Sequence, residues 1–219
     1  MIKICKFITP SHYWWYSVIQ GARNSFNSWD AMDTIEPEDF YTYDTIPNIS
    51  DFIGEKDKEL LSNLASGDSS ERKFLRQLPV LMTINAPLYW WKEFDTYKIG
   101  TTSNSCSTMH TIMKEAFSKE QFSCDNMTEV GDVSLEDVIV TLNNLRHRWK
   151  ECDDPSIKKQ LWYSIIQLLP ESWMQKRTIT LNYEVLKTIY RQRKNHKLYE
   201  WHDFCEYIKI MPLAKELLL

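Results

Sequence analysis

The sequence of 219 residues predicts an α+β fold whose C-terminal half is rich in helices. In that half, apolar residues recur every three or four positions, which is the spacing of one helix face. In the first half, the segment LPVLMTINAP is rich in β-branched and apolar residues and predicts a strand. Hydrophobic residues make up 43% of the chain, and no repeat or linker interrupts it. We therefore expect one domain over residues 1–219.

Helices and breakers alternate in the N-terminal half. A first helix begins near Tyr13, and residues 30–53, which contain proline and many acidic residues, predict a loop-rich stretch. A short helix then ends at Gly67. The strand LPVLMTINAP closes at Pro87, which can occupy the first position of a helix running to about residue 98. The apolar faces of these two longer helices contain Trp15, Val18, Ile19, Ala22, Trp90, Trp91, Phe94 and Tyr97.

A polar segment, IGTTSNSCSTMH, follows that helix at residues 99–110. Hydroxyl and amide side chains dominate it, and it contains a single glycine. Such a composition is typical of a surface loop and equally of a cradle for a polar ligand. The residues alone leave both interpretations open.

Four helices are predicted in the C-terminal half. Ser134 is the expected N-cap of the first, with Asp137 three residues later. Asp154 and Pro155 begin the second, which ends before Pro170. The third and fourth are predicted within TLNYEVLKTIYRQR and LYEWHDFCEYIKIM. Their inward positions are Leu181, Val185, Leu186, Ile189, Leu198, Trp201, Phe204 and Ile208.

Charge and cysteine usage limit the class of protein. The net charge of −4 provides no overall attraction to duplex nucleic acid or an acidic membrane. Five scattered cysteines without a C-x-x-C pair indicate reduced thiols. The N-terminus resembles no signal peptide, and no apolar run is long enough to cross a bilayer. We expect a cytoplasmic protein without a membrane or duplex nucleic acid as partner.

Several catalytic motifs are absent. With five glycines, the chain has neither a phosphate-binding P-loop nor a dinucleotide fingerprint. No H-E-x-x-H motif or other zinc-ligand spacing occurs, so no metal site is predicted. The basic segment LRHRWK at residues 145–150 is typical of a helix C-terminus, where cations favour the helix dipole.

One stretch, LLPESWMQKRTITLNYEVLKTIYRQR, resembles the flavin-dependent thymidylate synthase (ThyX) family. That family has Leu-Pro, a basic residue, an Asn that opens the next helix and an Arg at its end. Here these positions are Leu169 and Pro170, Lys176, Asn182 and Arg193. Upstream, VIQGARNSF is similar to the family's Ala-Ala-Arg-x-Ser-Phe. ASGDSSERKFLRQLPVLMTINAPLYWWKEF is similar to the segment running from Gly-His-x-Ser/Thr to Arg-Gln, and the likeness covers about two thirds of the chain.

The chain departs from the family at its signature. In place of Arg-His-Arg followed by Ser, Asn, Ser and Arg, it has TYKIGTTSNSCSTMH. Lys98 is the only cation left from Arg-His-Arg, and Met109 stands at the final phosphate-binding Arg. Glu184 occupies a helix position that is Arg in many members.

The resemblance implies a ThyX-like fold of mixed helices with a small antiparallel sheet. It also implies a homotetramer with flavin at its subunit interfaces. The implied activity is methylation, or another modification at C5, of a pyrimidine deoxynucleotide such as dUMP. The implied cofactor is FAD, with NADPH and methylenetetrahydrofolate as co-substrates.

The resemblance assigns roles to individual residues. Arg193 is the expected catalytic residue, facing the pyrimidine, because a planar guanidinium can bind the base and an enolate-like oxygen. The expected nucleotide contacts are Arg193 together with Lys92, Glu93, Ser103, Asn104, Ser107, Lys176 and Arg177. The expected flavin contacts are Lys98, Asn182, Ser69 and Ser70.

The sequence leaves other interpretations open. The protein can have kept the fold without flavin chemistry and bind a nucleotide or a protein partner. It can also be an unrelated helical interaction module. Locally, Arg193 and Lys194 can be a basic helix C-terminus, Lys176 and Arg177 a solvated loop, and Asn182 only a capping residue.

Overall fold

The computed structural model describes residues 2–42 and 47–219, so residues 43–46 of the predicted loop-rich stretch lie outside the described residues. Within this part of the chain there are four strands: β1 (Lys3–Ile8), β2 (Pro79–Pro87), β3 (Thr102–Ser105) and β4 (Met174–Asn182). They form one antiparallel sheet in the order β1-β2-β4-β3. The small antiparallel sheet is therefore confirmed.

Helices make up most of the remaining described chain. In order they are α1 (His12–Arg23), α2 (Ile49–Phe52), α3 (Glu55–Ser66), α4 (Lys73–Arg76), α5 (Leu88–Phe94), α6 (Thr108–Thr111), α7 (Glu129–Glu151), α8 (Pro155–Leu168), α9 (Tyr183–Arg193), α10 (Tyr199–Lys209) and α11 (Ala214–Leu217). Of the six helices longer than ten residues in this part of the chain, four, α7 to α10, lie after residue 128. The predicted α+β class with a helix-rich C-terminal half is confirmed.

Two compact units can be distinguished in the chain. The first unit comprises the chain up to Lys3, Ile84–Thr96 and Asn104–Arg177. The second unit comprises Ile4–Thr83, Tyr97–Ser103 and Thr178–Leu219. A single domain over residues 1–219 stays a prediction.

The first unit has an apolar core between its long helices and the segment before them. Leu135 and Leu142 of α7 and Ile165 of α8 pack with Ile112, Phe117 and Phe122. A second group of buried rings lies on α5, where the Trp90 ring stacks on Phe94 at a centroid distance of 5.3 Å. These buried side chains account for the apolar periodicity of the sequence.

The second unit is built around the buried face of α1. Trp15 is fully buried and meets Tyr183 edge to face at 5.5 Å between ring centroids. The predicted inward residues within α9 and α10 are also buried, with Trp201 and Phe204 fully so. Leu198 was expected inward as well, but it is the half-buried N-cap just before α10. Burial of rings of this size is a main source of the unit's hydrophobic stabilisation.

A buried ion pair connects α1 to α3 within the second unit. The Arg23 Nε donates to Asp57 Oδ1 at 2.6 Å, and both side chains are almost completely buried. The other carboxylate oxygen of Asp57 accepts from the Thr34 hydroxyl at 2.6 Å and from the backbone N–H groups of Asp33 and Thr34. Arg23 and Asp57 are thereby compensated by each other and by neutral donors.

The predicted N-cap at Ser134 is wrong. Helix α7 begins at Glu129, because the Thr128 side chain accepts from the Gly131 N–H and caps the helix six residues before Ser134. Ser134 lies inside the helix, and its hydroxyl donates to the Val130 carbonyl. Nothing between Thr128 and Ser134 breaks the helix, so the earlier cap sets its start.

The boundaries of α5 also differ from the prediction. Pro87 is the extended last residue of β2 and the N-cap, so it precedes the first helical position. The helix ends at Phe94, since the Thr96 hydroxyl and N–H both bond to the Glu93 carbonyl and tighten the last turn. Tyr97 consequently lies beyond the helix that was expected to include it.

Other helix ends agree with the sequence. Gly67 is the C-cap of α3, and Asp154 caps α8 with Pro155 at its first turn. Leu181, expected within the third C-terminal helix, belongs instead to β4, and α9 begins at Tyr183. Among the residues that the structure describes, no helix has the length and apolar content needed to cross a membrane.

Candidate functional site

Strand β4 carries two of the predicted phosphate contacts in the first unit. Lys176 and Arg177 are neighbours in an extended strand, so their side chains leave on opposite faces. The alternative of a solvated loop is therefore wrong. Lys176 is exposed, and its ammonium has no hydrogen-bond partner among the described residues, whereas Arg177 is half-buried.

Three contacts fix the Arg177 guanidinium. Its Nη1 donates to Asp95 Oδ1 at 2.8 Å, and its Nε donates to Gln175 Oε1 at 2.9 Å. The guanidinium carbon lies 4.4 Å from the centroid of the Trp91 ring, a cation–π distance. Arg177 is therefore oriented and partly neutralised by Asp95, while Lys176 keeps its charge exposed.

The predicted contacts on α5 have partners at the surface. The Lys92 ammonium forms an ion pair with Glu171, and both side chains are more than half exposed. Such an exposed pair contributes little to stability and can exchange for another anion. Glu93 is half-buried on the same helix.

The polar segment after α5 is a strand and a short helix. Ser103 and Asn104 lie on β3, an edge strand whose four residues are all exposed. Ser107 is the N-cap position of α6, and its carbonyl accepts from the Thr111 hydroxyl and N–H. The surface-loop alternative is thus replaced by an exposed sheet edge, whose side chains remain available to a ligand.

Arg193, the predicted catalytic residue, is held among aromatic side chains in the second unit. Its Nε donates to the Tyr97 hydroxyl at 2.8 Å. The guanidinium carbon lies 4.7 Å from the Trp201 ring centroid and 5.6 Å from that of Tyr97. Arg193 is half-buried in the last turn of α9, so the position combines a favourable helix terminus with an oriented cation.

Two predicted flavin contacts lie near each other in the second unit. The Asn182 side chain accepts from the Val185 N–H at 3.1 Å, so its capping role is established. Its amide nitrogen faces Gly100, where a Cβ would approach to 2.9 Å. Gly100 also has φ of 81°, which favours glycine. Lys98 is exposed two residues before it.

The other two predicted flavin contacts form a turn. The Ser70 hydroxyl donates to Asp68 Oδ1 at 2.6 Å, and this bond lowers the pKa of Asp68. Ser69 accepts from Arg76 through both its hydroxyl and its carbonyl. These hydroxyl groups are therefore engaged inside the turn.

A cavity of about 480 Å³ opens beside this turn in the second unit. Its lining includes Ser70, Lys73 and Phe74 from this region and Asn24, Ser25 and Phe26 from the segment after α1. The two segments ARNSF and GDSSERKFL, which carry the upstream resemblance, thus share one cavity. Hydroxyl, amide, ammonium and aromatic groups line it together.

Glu184 compensates a cation of the same unit. It accepts from Arg72 through both carboxylate oxygens, with the Nη2 contact at 3.0 Å. This bond raises the pKa of Arg72. The acidic residue at this helix position therefore serves an internal ion pair.

Neither metal ligation nor the basic segment at 145–150 adds to the site. Within residues 2–42 and 47–219, no group of three or more His, Cys, Asp or Glu side chains is arranged to hold a metal ion. Arg146 donates to the carbonyls of Met113 and Lys114, and His147 lies against Glu151 one turn later. These contacts are structural.

Cys205 should react with alkylating reagents more slowly than the other cysteines. It is buried on α10, and burial raises the pKa of its thiol to about 11. At pH 8 its thiolate fraction should be about 100-fold below that of an ordinary thiol with pKa near 9. We expect iodoacetamide to label exposed Cys5 and Cys106 in the native protein, and Cys205 only after unfolding, as measured by peptide mass spectrometry. Equal native labelling of Cys205 and Cys106 would contradict this.

Sequence reasoning missed the residues that orient the two arginines. Asp95 and Trp91 hold Arg177, and Tyr97 and Trp201 hold Arg193. The sequence signal was the surplus of aromatic residues, which is equally typical of a core. Which aromatic side chain lies against which arginine depends on tertiary structure.

Similarity to known proteins is found in the comparison of three-dimensional structures and not in the comparisons of sequence. No protein-family model matches the chain, and no curated protein matches it. Among solved structures, it is similar to thymidylate synthase X (ThyX) of Helicobacter pylori with FAD and dUMP. The sequences are 18% identical, the match covers 100% of this chain and 96% of that chain, and the TM-score is 0.67.

Two further solved structures are also similar to the chain over nearly its whole length. A second Helicobacter pylori ThyX complexed with FAD and dUMP has 17% identity, coverage of 99% and 96%, and a TM-score of 0.62. A UMP/dUMP methylase, PolB, from Streptomyces cacaoi bound with 5-Br dUMP has 13% identity, coverage of 99% and 93%, and a TM-score of 0.58. The chain therefore has a ThyX-like fold over its whole length.

Proposed function

We propose that the protein is a diverged enzyme of the flavin-dependent thymidylate synthase type, which methylates or otherwise modifies C5 of a pyrimidine deoxynucleotide such as dUMP. The observation that carries the proposal is the whole-length likeness to ThyX structures with FAD and dUMP and to a UMP/dUMP methylase. An oriented Arg193 at the helix position implied by the family supports it from within the chain.

In the first unit, Lys176 is the best candidate for the nucleotide phosphate. Its ammonium is exposed and has no described partner, so a phosphate need not displace an internal carboxylate. Arg177 and Lys92 are proposed supporting contacts to the phosphate. Arg177 would share its charge between the phosphate and Asp95, and Lys92 would share its charge between the phosphate and Glu171. Asn104, Ser107 and Glu93 remain proposed polar contacts.

In the second unit, Arg193 is the proposed contact to the pyrimidine, with Ser103 as a further polar contact. Modification at C5 places negative charge on the base oxygens as the ring is activated. A guanidinium held in one plane by Trp201 and Tyr97 can donate to such an oxygen without reorganising. Arg193 therefore orients the base and stabilises its developing charge.

The residues present suit a flavin. Gly100 lets the backbone approach the Asn182 amide so closely that a Cβ would lie 2.9 Å from its nitrogen, and Lys98 supplies a cation on the same short segment. We propose that Asn182 and Lys98 hold FAD, and that Ser69 and Ser70 support it from their turn. Reduced FAD, when bound, supplies a hydride to the reaction. The fixed Asn182 side chain, bonded to the Val185 N–H, keeps its amide group in place.

The remaining partners follow from this proposal. Methylenetetrahydrofolate is the proposed carbon donor, and NADPH the proposed reductant. The assembly is proposed to be a homotetramer in the cytoplasm, which suits five scattered cysteines without a C-x-x-C pair.

One experiment tests the proposal. The protein is purified with added FAD and desalted, and its visible spectrum and mass in solution are recorded. We expect a retained flavin band on a tetramer and oxidation of the reduced flavin that depends on dUMP and methylenetetrahydrofolate. A colourless protein, or flavin oxidation indifferent to dUMP, would refute the enzyme assignment.

A second candidate is a flavin-free protein that binds a nucleotide. It is favoured by one observation: Thr96, Tyr97 and Lys98 stand in place of Arg-His-Arg, and Tyr97 is buried at 9% exposure. A colourless protein that still binds dUMP by calorimetry would establish this alternative in place of the first.

A further inference from the structure

The Tyr97 hydroxyl forms hydrogen bonds to both Gln192 and Arg193, and the direction of each bond is fixed. Its hydroxyl donates to Gln192 Oε1 at 2.9 Å and accepts from Arg193 Nε at 2.8 Å. Since the amide oxygen can only accept and the guanidinium N–H can only donate, the direction of both bonds is determined. The two partners are consecutive residues of α9, so one hydroxyl ties the last turn of that helix to the segment Tyr97–Ser103.

Packing fixes the same group in a second way. Tyr97 is 9% exposed, and its ring meets the fully buried Trp201 edge to face at 6.1 Å. The guanidinium of Arg193 lies close to both rings. A buried tyrosine of ordinary core function needs only a partner for its hydroxyl. Here the partner is the side chain assigned to the pyrimidine, and the bond is charge-assisted.

We propose that Tyr97 is a positioning residue for Arg193, and through it for the pyrimidine nucleotide. The inference rests on the proposed function. The hydroxyl occupies Nε and fixes the rotation of the guanidinium plane, while Trp201 supports its face. Without the hydroxyl, the cation remains but its Nε loses the bond that sets the rotation of the guanidinium, so part of that ordering must occur when the nucleotide binds.

The first test requires no nucleotide. Proton–nitrogen NMR spectra of the FAD-supplemented protein are recorded, and the Arg193 Nε–H signal is assigned by its loss in Arg193→Lys. A bonded Nε–H should exchange slowly and be visible in the native protein. In Tyr97→Phe we expect it to broaden or shift towards the position of exposed arginines. An unchanged signal in Tyr97→Phe would overturn the anchoring.

The second test measures dUMP binding by calorimetry. Tyr97→Phe should bind dUMP about tenfold more weakly, the usual effect of one charge-assisted hydrogen bond. In an Arg193→Ala background, the same substitution should have no further effect, because Tyr97 acts through that side chain. The matched control is Tyr190→Phe, which removes a hydroxyl from α9 that no hydrogen bond among the described residues uses.

The outcomes separate the two proposals. A tenfold loss in Tyr97→Phe that vanishes with Arg193→Ala supports the positioning role. Equal losses in both backgrounds would mean that Tyr97 acts independently of Arg193 and would overturn it. If the wild-type protein binds no dUMP, the proposed function fails and the nucleotide role of Tyr97 fails with it. The NMR result then decides the anchoring alone.

Discussion

Replacing Asp57 with asparagine should lower the free energy of unfolding by about 3–5 kcal/mol, the usual cost of breaking a buried ion pair from one side. The Arg23 charge would stay buried without its counter-charge. An amide also cannot satisfy both sets of donors, because Arg23 Nε faces one oxygen and the Thr34 and Asp33 groups face the other. Whichever way the amide turns, its NH₂ group meets a donor.

Urea unfolding followed by circular dichroism measures this loss. The matched control is Glu55→Gln, on the same helix α3, which breaks the exposed ion pair with Lys58. That pair should contribute no more than about 0.5 kcal/mol. Similar losses for the two variants would show that burial of the Arg23–Asp57 pair has no energetic consequence.

Replacing Arg193 with alanine should weaken dUMP binding about 100-fold, because a stacked, charge-assisted contact to the base is removed. Arg193→Lys should recover little of the loss. An ammonium keeps the charge, but it has neither the planar face that lies on Trp201 nor the Nε–H bonded to Tyr97.

Calorimetric titration with dUMP measures both variants, and urea unfolding verifies that they are folded. Lys194→Ala is the control, since it removes an adjacent cation whose ammonium lies near the Tyr190 ring. If Lys194→Ala weakens binding as much as Arg193→Ala, the effect is one of general charge, and the assignment of Arg193 to the base is wrong.

The longer helices were predictable from this sequence because each has a local signal, whereas the four-residue helices α2, α4, α6 and α11 were not predicted. The buried positions of α1 and the Asp154–Pro155 start of α8 follow from spacing and capping chemistry. Strands β1 and β4 were not predictable from the sequence. In β1, five of six residues are exposed, so no alternation marks a buried face. In β4, only Ile179 and Leu181 are buried, and the basic residues before them suggested a loop.

The cations of the candidate site were predictable from the sequence, whereas the side chains that surround them were not. Lys176 and Arg193 were identified by the family resemblance. That Arg177 would be committed to Asp95, or Arg193 to Tyr97, depends on residues 82 and 96 positions away in the chain. A single sequence contains no signal for such pairings.

The junction between β4 and α9 has a consequence for how this chain can change in length. Asn182 is both the last strand residue and the helix cap, so no loop residue separates the two elements. One inserted residue before α9 would turn every later helical position by about 100° about the helix axis and carry Arg193 away from Trp201. Insertions and deletions should therefore be rejected at this junction and be better tolerated beyond Arg193, in the exposed segment at residues 194–195.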